Sequence, residues 1–163
     1  MDTKELSHTR VNQPQETDPV FFYPKEFYVF DNFSSFQVEY DGYLWATSEH
    51  AYQAKKFKDT SPEVYDKIKH TRSAHDAQKV ANENKSVQNP NWNTVKKEVM
   101  KEILRNKINQ HPYVLKKLLQ TGTREIIEDS WRDATWGWGP NKEGKNLLGA
   151  LWMELRDEYK EKP

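Results

Sequence analysis

The chain contains no cysteine, which rules out a disulfide framework and thiolate chemistry and fits a reducing compartment. It also carries no net charge. Its 25 lysines and arginines balance 25 aspartates and glutamates, so the broad basic surface of a general nucleic-acid binder is missing, although a local basic groove stays open. No apolar run approaches the length of a membrane span or a signal-peptide core, and a soluble cytoplasmic protein is expected. HExxH, CxxC, GxSxG, Walker and GxGxxG patterns are absent, as are histidines paired at ligand spacing. Metal catalysis, ATP binding and a dinucleotide fold therefore have no support, and no cofactor is expected.

What the chain has in quantity is rings: six Trp, eight Tyr and seven Phe in 163 residues. Apolar burial should rest heavily on them, with some left to face a ligand. The length suits one domain. Residues 1–20 are polar, unperiodic and hold two prolines, and so read as a flexible tail; residues 21–160 read as the domain.

The run from Thr47 to Phe57 organises the rest. Thr47 and Ser48 are N-cap residues, and Glu49 suits the positive end of the helix they open. At about 100° per residue, Glu49, Tyr52, Gln53 and Lys56 share one stripe, while His50, Ala54 and Phe57 share a second that can pack on a core. An acid and a lysine on a helix are ordinarily solvated charges. Against that stands a second acid-rich, ring-rich segment, Glu128 to Gly139, whose composition packing alone does not demand.

Around this helix the elements follow in order. Asp41-Gly42 is a two-residue hairpin signal between Phe36–Tyr40 and Tyr43–Trp45. Asn32, set among aromatics, either makes a local turn or offers its carboxamide to a ligand. Ser61-Pro62 opens a helix to about His70, and Ser73 caps another to about Asn82 with Ala74, Ala77 and Ala81 on one face. Arg72, just before it, is either an anion contact or a surface arginine. Trp92 to Gln110 is a long amphipathic helix with its lysines and glutamates on a solvated face. Tyr113–Gln120 should turn Leu115, Leu118 and Leu119 inward. Arg124–Glu128 reads as a strand, and a last helix runs from Asn146 to about Glu158.

Between that strand and that helix lies Glu128-Asp129-Ser130-Trp131-Arg132-Asp133-Ala134-Thr135-Trp136-Gly137-Trp138-Gly139. Its indoles can stack on a base or sugar, and its glycines allow close backbone approach; the alternative is a tryptophan plug closing one end of the core. The Lys142–Asn146 segment, just before a helix start, is a weak phosphate-site signal.

Taken together, SEHAYQA with Lys56-Phe57, Asn91-Trp92, Val99-Met100, Glu128, Asp133, Trp136-Gly137 with Gly139, and Asn146 with Leu148-Gly149 resemble the NADAR family of YbiA-like proteins in order and spacing. Asp31 stands where that family often has serine. The resemblance implies a mostly α-helical α+β domain with a small β-hairpin or sheet. It also implies an N-glycosidase acting on ribosyl-pyrimidine intermediates of riboflavin synthesis or removing ADP-ribose from guanine in nucleic acid; the alternative is a non-catalytic ADP-ribose or nucleotide-binding module. On this resemblance Glu49, Lys56 and Asp133 are the catalytic candidates. Asn32, Phe33, Tyr52, Gln53, Arg72, Trp92, Glu128, Trp136, Gly137 and Asn146 are candidates for substrate binding. Lys56 would attack as a neutral amine, yet a nearby carboxylate raises a lysine pKa, so either desolvation by the surrounding rings wins, or Glu49 is directed elsewhere, or Lys56 is a charged binder and the acids hydrolyse directly.

Overall fold

Thr47, extended in backbone, starts the central helix by accepting the His50 N–H on its hydroxyl at 3.1 Å. That helix, α1 (Ser48–Lys55), is buried from Ser48 to Ala54 because α2 (Pro62–Lys69), α3 (Ala74–Glu83) and α4 (Trp92–Gln110) pack around it. His50, Ala54 and Phe57 sit in the core as the second stripe requires, and the polar stripe is also enclosed. A polar helix buried on all sides must find partners for its groups, or leave them for a ligand.

The computed structural model describes residues 17–22, 27–130 and 132–161. Residues 1–16 of the expected tail, and Trp131, lie outside the described residues. Val20, the last residue of that expected tail, already belongs to β1 (Val20–Phe22), which pairs in parallel with β4 (Ile126–Glu128), Val20 opposite Ile126 and Phe22 opposite Glu128. The strand read from Arg124 to Glu128 thus finds its partner across most of the domain. The second sheet is the hairpin of β2 (Val38–Tyr40) and β3 (Tyr43–Trp45), joined by Asp41 and Gly42 with φ of 53° and 77°, the left-handed pair a type I′ turn needs. Asp41 then accepts Lys55 at 2.8 Å and Lys58 at 3.3 Å, tying the hairpin to the end of α1. Helices α5 (Pro112–Gln120) and α6 (Leu147–Lys160) complete a mostly α-helical α+β domain. None of the described helices is long and apolar enough to cross a membrane.

Two expectations are corrected. In α5 Leu118 is buried together with Val114, and Leu115 packs half-buried against the core, but Leu119 lies 40% exposed, because the apolar stripe is narrower than the run of leucines. In α4 the solvated charged face is interrupted by Lys107, which is fully buried. Its ammonium donates to the Val29 carbonyl at 2.6 Å, the Ser34 hydroxyl at 3.1 Å and the Asp31 carbonyl at 3.3 Å. Burial pushes Lys107 down to about 7, with Asp31 opposing. The lysine holds the irregular loop that carries Asn32 and Phe33. Lys107→Met is expected to leave the Val29 carbonyl only the Ser34 hydroxyl, 3.5 Å away, and to cost about 1–3 kcal/mol, read as a lower urea midpoint with unchanged slope.

Candidate active site

The four members of the polar stripe on α1, Glu49, Tyr52, Gln53 and Lys56, all line one cavity of about 210 Å³. Asn32 and Phe33 reach it from the loop after Phe30, held there by the Glu49 N–H, which donates to the Asn32 carbonyl at 3.1 Å. Glu128 reaches it from the end of β4, and Asp133 and Trp136 from the acidic aromatic loop. A larger depression of about 430 Å³ lies between the hairpin and α4, lined by Tyr40, Leu44, Glu102 and Gln110 among others. It contains none of these groups.

Burial dominates the electrostatics. Glu49 is 6% exposed, and desolvation pushes its carboxyl up to about 7 against the Gln53 amide, which donates to it at 2.7 Å, and against Lys56. Desolvation likewise pushes Lys56 down to about 8; Glu49 opposes this, while Lys85 and Lys96 add to it. The Lys56 ammonium lies 5.4 Å from the Tyr52 ring centre and 5.8 Å from that of Trp92. Desolvation thus outweighs the carboxylate in setting the direction for Lys56. Glu128 is pushed up to about 8 by burial first, then by Asp133, Asp31 and Glu49, all of them acids.

Among the described residues, three buried acceptors on the cavity wall have no hydrogen-bond partner: Asn32 Oδ1, Gln53 Oε1 and Glu128 Oε2. Unpaired buried acceptors are rare because each carries a desolvation cost, and a group of them facing one space suits a ligand with several hydroxyl or amino donors. Of the two readings of Asn32, the turn is made by Asp31, whose carboxylate accepts the Phe33 N–H at 2.9 Å, while Asn32 Nδ2 donates to Met100 Sδ at 3.4 Å and its Oδ1 is left to the cavity. Asp133 has a similar double task. Its Oδ1 accepts the Thr135 and Trp136 N–H groups, both at 2.8 Å, and so sets the Trp136 ring edge-on to Tyr52 with centroids 5.5 Å apart. The aromatic loop is both platform and plug: Trp136 lines the cavity, while Trp138 packs on Phe21 and donates to Asp129 at 3.0 Å.

Four expected contact residues do not line the cavity. Arg72 is exposed in the turn before α3. Trp92 stands behind Tyr52 and donates to its hydroxyl at 3.3 Å. Gly137 is a packing glycine: a Cβ there would lie 2.8 Å from the Glu128 carbonyl and 2.9 Å from that of Asp133. Asn146, in the left-handed region at φ 48°, uses its carboxamide on β4, accepting the Glu128 N–H and donating to the Ile126 carbonyl, each at 2.9 Å. Conversely, Gln78 and Asn82 of α3 line the cavity without having been singled out, and Met100 of α4, marked only through the family resemblance, lines it as well. The spacing of four between Gln78 and Asn82 was the available signal, since it puts two amides on one helical face. Among the described residues no three His, Asp or Glu side chains are grouped to hold a metal ion.

The sequence profile of the NADAR domain matches residues 20–160. The chain belongs to the NADAR family. Among curated NADAR-like proteins, the N-glycosidase YbiA of Escherichia coli K12 is 38% identical over 130 residues, covering 79% of each chain. The N-glycosidase Npun_R5314 of Nostoc punctiforme is 31% identical over 144 residues, covering 86% of this chain and 92% of that protein. The riboflavin biosynthesis protein VVA0006 of Vibrio vulnificus is 36% identical over 145 residues, covering 88% of this chain but 39% of that one. The NMR structure of E. coli YbiA superposes with a TM-score of 0.81 at 33% identity, covering 93% of this chain and 90% of that one. The NADAR fold is thus shared over nearly the whole described domain.

Proposed function

We propose that this NADAR protein is an N-glycosidase that hydrolyses the C–N bond between C1′ of a ribosyl group and a base or amine. The ribosyl group belongs either to ADP-ribose on a guanine base or to the ribose phosphate of a riboflavin-pathway pyrimidine. Relatives named as N-glycosidases over most of their length support the reaction class. The observation that carries the reading is the cavity itself. It places a lysine held near neutrality and a carboxyl held near protonation on one wall, with unpaired acceptors around them.

Breaking a ribosyl C–N bond builds positive charge on the sugar and negative charge on the departing base. In our reading the neutral Lys56 amine attacks C1′, the C1′–N bond breaks, and the Glu49 carboxyl gives its proton to the base nitrogen. Glu49, now a carboxylate, takes a proton from the new secondary ammonium and passes it to O4′ as the C1′–O4′ bond opens, leaving an iminium between Nζ and C1′. Water adds at C1′, loses a proton to a carboxylate, and the adduct collapses to the free sugar aldehyde and the lysine amine. Asp133 faces the positive charge, while Asn32, Gln53 and Glu128 offer oxygens to sugar hydroxyls and Trp136 offers a face to the base.

The pH dependence follows with a definite sign. Lys56 must be neutral, so kcat/KM rises as pH passes through about 8; Glu49 must be protonated, so it falls as pH passes through about 7. The product is a bell with its maximum between pH 7 and 8, in which a minority of molecules carries both correct forms. Glu49→Gln should lose the alkaline limb and Glu128→Gln should keep it.

The deciding experiment is a product assay read by mass spectrometry, offering ADP-ribosylated guanosine and DNA in one arm and aminopyrimidine ribosyl phosphates in the other. Free base with free sugar in either arm is the expected result and names the substrate. Tight binding in both arms with no product would overturn the enzyme in favour of a binding module.

A further inference from the structure

Lys56 has two cationic neighbours that the reaction above does not use. On α4, Trp92, Lys96 and Met100 recur every four residues and so share one face. Trp92 supports Tyr52 from behind and Met100 lines the cavity, which puts the half-buried Lys96 between them on the side facing the cleft. Lys85 stands in the short 3-10 turn Lys85–Val87, three residues past the cavity-lining Asn82. The chain beyond that turn is bound to the lysine helix, the Asn89 N–H donating to the Lys56 carbonyl at 2.8 Å. Both neighbours lower the proton affinity of Lys56.

None of the three lysines forms an ion pair among the described residues. Like charges brought together oppose folding, and the carboxylate that acts on Lys56 is Glu49. The far end of the cleft is the reverse: Glu128 has Asp133, Asp31 and Glu49 around it. The site thus grades from Glu128 and Asp133 on one side, through Glu49 and Lys56, to Lys85 and Lys96 on the other. A ribosyl group bearing a 5′ phosphoryl has the matching asymmetry in the transition state, positive at C1′ and negative at the phosphate.

We propose that Lys85 and Lys96 form a phosphate subsite beside Lys56, which holds the 5′ phosphoryl group and leaves C1′ within reach of the Lys56 amine. This rests on reading the cleft as a ribosyl site. The cavity of about 210 Å³ is smaller than the roughly 300–1,000 Å³ that encloses a drug-sized ligand, so the phosphoryl group belongs outside it, on the side of Lys56 where the charges of Lys85 and Lys96 act. A ribose monophosphate and the diphosphate of ADP-ribose would both satisfy the subsite.

The test is calorimetric titration of the full chain with ribose 5-phosphate and, separately, with ADP-ribose, for the wild type, the double variant Lys85→Gln/Lys96→Gln, and Lys97→Gln. Lys97 is exposed and is the neighbour of Lys96 that points elsewhere. The double variant should weaken binding of the phosphorylated ligand about tenfold or more, with Lys97→Gln at wild-type affinity and the melting temperature of all three proteins alike. The ligand that suffers the larger loss names the source of the phosphate. Wild-type affinity in the double variant, an equal loss in Lys97→Gln, or no binding of either ligand to the wild type would overturn the subsite. Turnover is measured separately: base release by a double variant of unchanged affinity sinks the subsite alone, whereas phosphate binding without base release sinks the glycosidase reading and leaves the subsite standing.

Discussion

Lys56→Ala abolishes base release and yields no borohydride-trapped sugar adduct, while the wild type is trapped in the presence of substrate; this is the largest functional effect expected. Removing the proton donor alone, in Glu49→Gln, should lower kcat by about 10²–10⁴-fold. Loss of the amine should cost at least as much, because it removes the atom that forms the covalent bond. Lys56→Arg should not restore activity: a guanidinium stays charged at any accessible pH and cannot attack as a free base. The fold should survive each change, since Lys56 makes no ion pair among the described residues and repels Lys85 and Lys96. An adduct formed on Lys56→Ala, or turnover by the wild type that no reductant intercepts, would transfer the chemistry to Glu49 and Asp133 acting directly on water.

Gly149→Ala is expected to be the most damaging single methyl group in the domain. A Cβ at Gly149 would lie 2.1 Å from the Ile126 carbonyl oxygen and 2.4 and 2.6 Å from the carboxamide atoms of Asn146. None of these can give way freely. The Ile126 carbonyl and the Asn146 amide are bonded to each other, and Asn146 also accepts the Glu128 N–H, so the added carbon forces α6 off β4. Overpacking ordinarily costs about 1–3 kcal/mol, and a clash against backbone belongs at the upper end. For a domain of this size about 3 kcal/mol corresponds to a melting temperature lower by roughly 6–12 °C. Because β4 ends in Glu128, the variant should also lose affinity for substrate at temperatures where it is folded. A melting temperature within a degree of wild type would show that the contact between α6 and β4 is looser than described.

The two ends of this site were unequally legible. The stripe of Glu49, Tyr52, Gln53 and Lys56 could be read from spacing alone, because a helix fixes which side chains share a face before anything packs on it. The hairpin was legible for a similar reason, Asp41-Gly42 being suited to two consecutive left-handed residues. Asn146 and Gly137 were marked as important by resemblance to the family, but their work is to hold Glu128 and the aromatic loop in place. Gln78 stayed hidden: an amide on an exposed helix looks the same whether or not a cavity opens beside it.

The residues in their order were enough to establish the membership in a family, the caps and lengths of the helices, and the candidate acid, amine and amides on one helical face, since each depends on short-range geometry. Folding decided the rest. The parallel pairing of β1 with β4 delivers Glu128, the burial of Lys107 fixes the loop of Asn32, and α2, α3 and α4 exclude water from around α1. That exclusion brings a carboxyl to about 7 and an amine to about 8 side by side, because the cost of burying a charge depends on everything packed around it and on nothing in the adjacent sequence.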